Sequence, residues 1–204
     1  VARILYFLED RAQEGFIKAL VNRIAQDIPI PIDSLNHDVR SAQGGSTVIP
    51  EFKRFMKDTM QISSSDVDLL VVAIDGNCKG HNERVRQLEG YVNPLHPLRS
   101  KIVYAVPDPH IERWYIMDQR AFKNGVGIDR APDMPSYKCK KDYYKNLLHR
   151  VLAESDVSSL FGGTEYAENI VNKIVSIDSL FTQNAGFQNF IEGLRNFFQY
   201  HLAS

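Results

Sequence analysis

The chain has 204 residues, 44% hydrophobic and 24% charged, which allows one globular domain with an extension or two small domains. A formal net charge of -1 excludes a global basic field, so any nucleic-acid binding has to come from a local patch or a partner. No apolar run approaches the roughly 20 residues of a membrane span, and no signal-peptide pattern opens the chain. The two cysteines, Cys78 and Cys139, make neither a disulfide framework nor a CxxC metal pattern. A reducing cytoplasm is the expected compartment.

Ile4 to Leu8 is a short apolar run that reads as a buried strand, and it ends on Glu9 and Asp10. Phe16, Ile17, Leu20, Val21 and Ile24 then form a helical stripe. Asp10 is placed to cap that helix, with Gln13 as its capping-box partner. Ile28 to Ile32 carries Pro29 and Pro31, which restrict it to a loop or an edge. Ser34 to Val39 reads as a short strand, and Ser41 to Ser46 as a connector. Pro50 suits a first helical turn, and Phe52, Phe55 and Met56 mark a short amphipathic helix.

Val67 to Ile74 is the most apolar run of the chain, rich in β-branched residues and bounded by Ser63–Ser65 and Gly76. It reads as a strand buried on both faces. It ends on Asp75, then Gly76 and Asn77. Two readings stand at this point: a plain Asp-Gly turn, or a site at the carboxyl end of a central strand. Asn82 to Val92 is the next predicted helix, with Val85 and Leu88 inward. Lys101 to Val106 is the third good strand. Asp108 and Pro109 read as N-cap and first turn of a helix bearing His110, Glu112, Trp114 and Asp118.

After Asp118 the pattern changes. Lys123 to Tyr137 reads as irregular, with Gly125, Gly127, Pro132 and Pro135. Lys138 to Lys141 opens a predicted helix with Tyr144, Leu147, Leu148 and Val151 on its stripe. Tyr166 to Val175 and Phe187 to Leu202 are further helices. The expected fold is therefore α/β: a mostly parallel sheet flanked by helices over residues 1–118, with a helical extension over 119–204 packed on it.

Two buried strands end on Glu9 and Asp75, and in a parallel sheet those ends share an edge. If the strands are neighbours, the carboxylates converge, and a third strand leads to Glu112 on the same edge. Carboxylates crowded with an amide, Asn77, need protons or cations, because like charges raise each other's pKa. Mg²⁺ or Mn²⁺ accepts such oxygen ligands and acts as a Lewis acid on phosphate.

A Glu ending a first strand before a helix, then Asp75 and Asn77 after a central strand with Gly80 trailing, resembles the Toprim domain of topoisomerases, primases and OLD-type nucleases. The finer resemblance is to a small stand-alone Toprim-like family of prokaryotes, often encoded beside an ATPase. Glu9 and Glu14, Glu112-Arg113-Trp114 with Asp118, and Ile177-Asp178 with Phe187 to Leu194 carry that likeness. The resemblance implies a metal-dependent nuclease of an ATPase-linked anti-phage defence system. Glu9, Asp75 and Glu112 would be catalytic, and Glu9, Asp75 and Asn77 would hold the metal. Asn77 departs from the second acid of the Asp-x-Asp motif. It lowers the charge of the site and leaves open a non-catalytic subunit of an ATPase complex.

Other residues carry paired readings. Glu14 is a site acid or a residue favoured by the helix dipole. Asp118 is a site acid or a helix-end residue. His81 is a proton shuttle or a solvated loop histidine, and His110 is similar. Lys138, Lys140 and Lys141 are the only basic cluster, either a grip on a nucleic-acid backbone or a solvated helix start. Cys78 reads as a small turn filler and Trp114 as packing.

Overall fold

A computed structural model describes residues 1–28 and 30–201, with the side chain of His201 excepted. Pro29 of the proline-bearing loop and Leu202 of the last predicted helix lie outside the described residues. Four strands, β1 (Ala2–Leu8), β2 (Leu35–Ser41), β3 (Leu69–Ala73) and β4 (Ile102–Ala105), form one sheet in the order β2-β1-β3-β4. Every pairing is parallel. The helices are α1 (Arg11–Asp27), α2 (Val48–Asp58), α3 (His81–Glu89), α4 (Glu112–Tyr115), α5 (Gln119–Val126), α6 (Tyr143–Glu154), α7 (Ala167–Lys173) and α8 (Ala185–His201). The expected α/β class with a parallel sheet and C-terminal helices is what the chain adopts.

Period-two alternation divides the central strands between two apolar layers. Ile4, Tyr6 and Leu8 of β1, with Leu69, Val71 and Ala73 of β3, face the larger layer. That layer includes Phe16, Ile17 and Leu20 of α1, Phe122 of α5, Ile170 of α7, and Phe187, Phe190 and Phe198 of α8. Leu5 and Phe7, with Leu70, Val72 and Ile74, face the smaller layer, closed by Phe52 and Met56 of α2 and Leu88 of α3. Burying both faces explains why β3 reads as an unbroken apolar run rather than an alternating one. Each fully buried Leu, Ile or Phe contributes roughly 1.5–3 kcal/mol. The C-terminal helices therefore share one apolar cluster with β1, β3 and α1.

Several local expectations are corrected. Cys78 and Cys139 are joined in a disulfide with their Cα atoms 5.5 Å apart. A separation of 61 residues hides that pairing from spacing rules. Asp108 does not cap a helix. The Asp108–Pro109 peptide is cis, and α4 is a single turn beginning at Glu112. The Asp108 carboxylate is instead drawn to two other donors, the Cys78 N–H and the Tyr137 hydroxyl. The stretch read as irregular from Lys123 begins inside α5. Gly125 packs there so closely on α7 that a Cβ would meet Ile170 Cα at 2.6 Å. Gly127, at φ 80, supplies the left-handed C-terminal cap. Lys138, Lys140 and Lys141 precede α6, which starts only at Tyr143. In α3 the buried partner of Leu88 is Arg84, and Val85 is only half-buried.

Candidate functional site

β1 leads through α1 to β2 on one side, and β3 leads through α3 to β4 on the other. The strand order therefore reverses between β1 and β3. In open parallel sheets ligands bind in the crevice at that switch point, beyond the carboxyl ends of the strands. Leu8 pairs with Ala73, so the residues just beyond this pair, Glu9 and Asp75, meet at the crevice. Glu9 N–H donates to the Ala73 carbonyl at 3.0 Å. In return Asp75 N–H donates to Glu9 Oε2 at 2.8 Å. Both residues are buried.

Gln13 joins the two acids from the first turn of α1. Its Oε1 accepts the Glu9 N–H at 3.0 Å, and its Nε2 donates to Asp75 Oδ1 at 2.8 Å. Asp10 caps the helix as expected, accepting from Gln13 N–H at 3.1 Å. The Gln13 side chain thus reaches Glu9, one residue before the cap, and serves the site as well as the helix. The other Asp75 oxygen, Oδ2, lies 3.0 Å from His110 Nδ1. An ionised carboxylate only accepts, so His110 Nδ1–H is the donor there.

Burial, reinforced by the Asp75 charge, raises the Glu9 carboxyl to about 7. Burial raises Asp75 to about 6, with the His110 bond and charge opposing and the Glu112 charge adding. Glu112 is also raised by burial, although His110 and Lys145 pull it down. The bond to Asp75 raises His110 in turn. The crevice is therefore a cluster of acids with too little local positive charge. Arg84 is the nearest buried cation that favours the ionised form of Glu9. Its guanidinium bonds the Gly76 carbonyl and Gln87 Oε1, holding the loop after β3 from beneath.

Gly76 is required at its place, because a Cβ there would overlap the Asp108 carboxylate. Asn77 and Cys78 follow at φ 49 and φ 68, a left-handed turn that Asn tolerates. Asn77 N–H donates to the Pro109 carbonyl at 3.0 Å. The Asn77 side chain is exposed and its Nδ2 donates to the Asp75 carbonyl at 3.3 Å.

The remaining sequence candidates separate. Glu14 pairs with Lys18 at 3.7 Å along α1. Asp118 caps α5, accepting from Ala121 N–H at 2.8 Å. His81 is the first residue of α3, and burial lowers its pKa. Lys138, Lys140 and Lys141 are exposed, in a segment tied to the site loop by the disulfide. Trp114 packs edge-on to Phe187. Gln13 and Lys145 carry no site signal in the sequence. Arg84, which with Lys79 reads from the sequence as a surface cation near enough to meet phosphate, is instead buried under the site loop. His110 is held against Asp75 rather than being a solvated loop histidine.

Among the described residues, no three or more His, Cys, Asp or Glu side chains form a group able to hold a metal ion. The hard oxygens of Glu9 and Asp75, both held above their ordinary values, suit a divalent cation chemically. Among the described residues no helix is long and apolar enough to cross a membrane. No family model, curated protein or solved structure matches the chain.

Proposed function

We propose that this chain is a Toprim-type, divalent-metal-dependent nuclease that cleaves phosphodiester bonds in nucleic acid. The observation that carries the reading is the pairing of Glu9 and Asp75 at the switch point, joined by the Asp75 N–H and both raised in pKa. Crowded, desolvated carboxylates at a strand-end crevice are a recurrent sign of function. Glu9 and Asp75 would hold Mg²⁺ or Mn²⁺, with Asn77 and Glu112 reached directly or through water. The ion would supply Lewis-acid stabilisation of charge on phosphate. His110 orients Asp75, Gln13 fixes both strand ends, and Glu9, titrating near neutrality, is suited to move a proton. Lys138, Lys140 and Lys141 would meet the nucleic-acid backbone. The Toprim-like resemblance goes with an ATPase partner and a role in anti-phage defence, in the cytoplasm.

A second reading is a non-catalytic subunit of an ATPase complex that keeps the fold without the metal. Two observations favour it. Both Asp75 oxygens already have protein partners, and Asn77 brings no charge. The deciding experiment is Mn²⁺ calorimetry on wild type and Asp75→Asn, followed by cleavage assays on DNA and RNA with and without the ATPase. The nuclease reading expects Mn²⁺ binding and cleavage by wild type, and loss of both in a folded Asp75→Asn. Absence of Mn²⁺ binding to wild type at millimolar concentration would overturn it.

A further inference from the structure

We infer that the Cys78–Cys139 disulfide is a reducible latch that holds a basic strap against the loop of the sheet-edge site. Cys78 lies three residues beyond Asp75, in the left-handed turn that shapes the site loop. Cys139 lies between Lys138 and Lys140 in a stretch, Ile128 to Lys140, without helix or strand. Both cysteines are exposed. Residues 136–141 are exposed throughout, so no apolar burial fixes this part of the chain. Upstream the stretch is anchored differently, by buried Ile128 and Pro132 and by Gln119 Nε2 donating to the Pro132 carbonyl.

Apart from the disulfide, the exposed part is held by a few polar contacts. Tyr137 Oη donates to Asp108 Oδ2 at 2.6 Å, and its ring lies under the Arg113 guanidinium. Lys138 N–H donates to Tyr144 Oη at 3.0 Å. The opposite Asp108 oxygen accepts the Cys78 N–H. Asp108 and the disulfide are therefore parallel links between the site loop and the strap. Exposed hydrogen bonds add little net stability, so the covalent link dominates.

Accessible disulfides are the ones that exchange with external thiols. Here a dithiol reductant breaks the S–S bond. Two electrons and two protons pass to Cys78 and Cys139, leaving two thiols and the reductant's own disulfide. The strap with its three lysines is then tied to the site loop only by the exposed polar contacts at Asp108, which hold it less firmly. The latch is read from geometry, whereas its regulatory consequence, control of access to Glu9 and Asp75 and of the lysine grip on a backbone, rests on the nuclease reading above.

The test is hydrogen exchange followed by mass spectrometry on the full chain, with and without dithiothreitol, alongside Cys139→Ser. The hydrogen-bonded amides of Lys138, Asn77, Cys78 and Lys79 should exchange about tenfold faster or more after reduction, while β1 and β3 keep their protection. Cys139→Ser should show the fast exchange at once and no response to reductant. Unchanged exchange on reduction would overturn the latch, as would two free thiols in the protein before reduction. A simultaneous loss of protection in β1, β3 and α8 would also overturn it, because the bond would then staple the whole fold. None of these readouts requires nuclease activity, so absence of cleavage leaves this test intact.

Discussion

Gln13 Nε2 donates to Asp75 Oδ1 at 2.8 Å, across 62 residues of sequence, from a fully buried side chain. The same amide accepts the Glu9 N–H, so a single side chain sets the relation between the two strand ends. We predict that Gln13→Ala destabilises the protein by about 1–3 kcal/mol, the range for leaving buried polar groups unpaired. Gln13→Glu should be worse at neutral pH, because it adds a third negative charge. Added Mn²⁺ should recover part of that loss if the crevice holds the ion. Denaturant midpoints decide this, and a Gln13→Ala variant as stable as wild type would remove Gln13 from the site.

All four strands were legible in the sequence, three of them because buried parallel strands are written as continuous apolar runs. So were Glu9 and Asp75, the acids that end two of them. Alternation of strands with helical stripes was enough for the parallel sheet. The bridging role of Gln13 was hidden because its place three residues after Asp10 reads as a capping-box partner, whereas its side chain bonds the Glu9 N–H and Asp75. His110 finds its partner Asp75 through a fold contact that no local pattern announces. Arg84 takes the inward place that the stripe assigns to Val85, because its guanidinium is drawn under the loop by the Gly76 carbonyl. Helix α5 is hidden because Gly125 resembles a breaker, whereas it serves close packing on α7.

The acids predict an unusual pH dependence. Glu9 stands at about 7 against an ordinary 4.5, and Asp75 at about 6 against 3.8. The folded chain therefore keeps protons that the unfolded chain has released between those values. Metal-free stability should fall as pH rises across this window. His110, raised by Asp75, adds to the fall as it deprotonates. Raising one carboxyl's pKa by 1 corresponds to about 1.4 kcal/mol, so the coupled pair contributes a change on the order of a few kcal/mol. Urea titrations across the range should show it, and Glu9→Gln should flatten the slope. Metal-free stability that rises with pH would show that these carboxylates are not in conflict.

The C-terminal helices supply one wall of the larger apolar layer. Phe187, Phe190 and Phe198 of α8 are buried with Tyr6 and Val71 of the sheet. A 1–118 fragment would leave that face of the sheet partly uncovered, and a parallel sheet needs helices on both faces. We predict an insoluble or molten fragment, judged by near-ultraviolet circular dichroism and heat-induced unfolding. A soluble fragment with a sharp transition would show that 119–204 is a separate unit.

Asn77→Asp separates the nuclease reading from the non-catalytic one. The position sits at φ 49, where Asp is tolerated nearly as well as Asn, so the exchange should not unfold the loop. Its backbone remains fixed by the bond from Asn77 N–H to the Pro109 carbonyl. What changes is the side chain. The Nδ2 donor that now reaches the Asp75 carbonyl becomes an oxygen, which is repelled by that carbonyl and must turn away. A divalent cation held by Glu9 and Asp75 would give the new carboxylate a partner. Mn²⁺ affinity should then rise about tenfold or more, a gain of about 1.4 kcal/mol. Without such a cation the variant adds one more negative charge to an acidic crevice, and metal-free stability should drop slightly. Calorimetric titration with Mn²⁺ and a thermal scan with and without the ion read both effects on the free protein. A stronger Mn²⁺ signal with recovered stability supports a metal centre at the switch point. No binding in either wild type or Asn77→Asp would sink it and leave the fold as an interaction module.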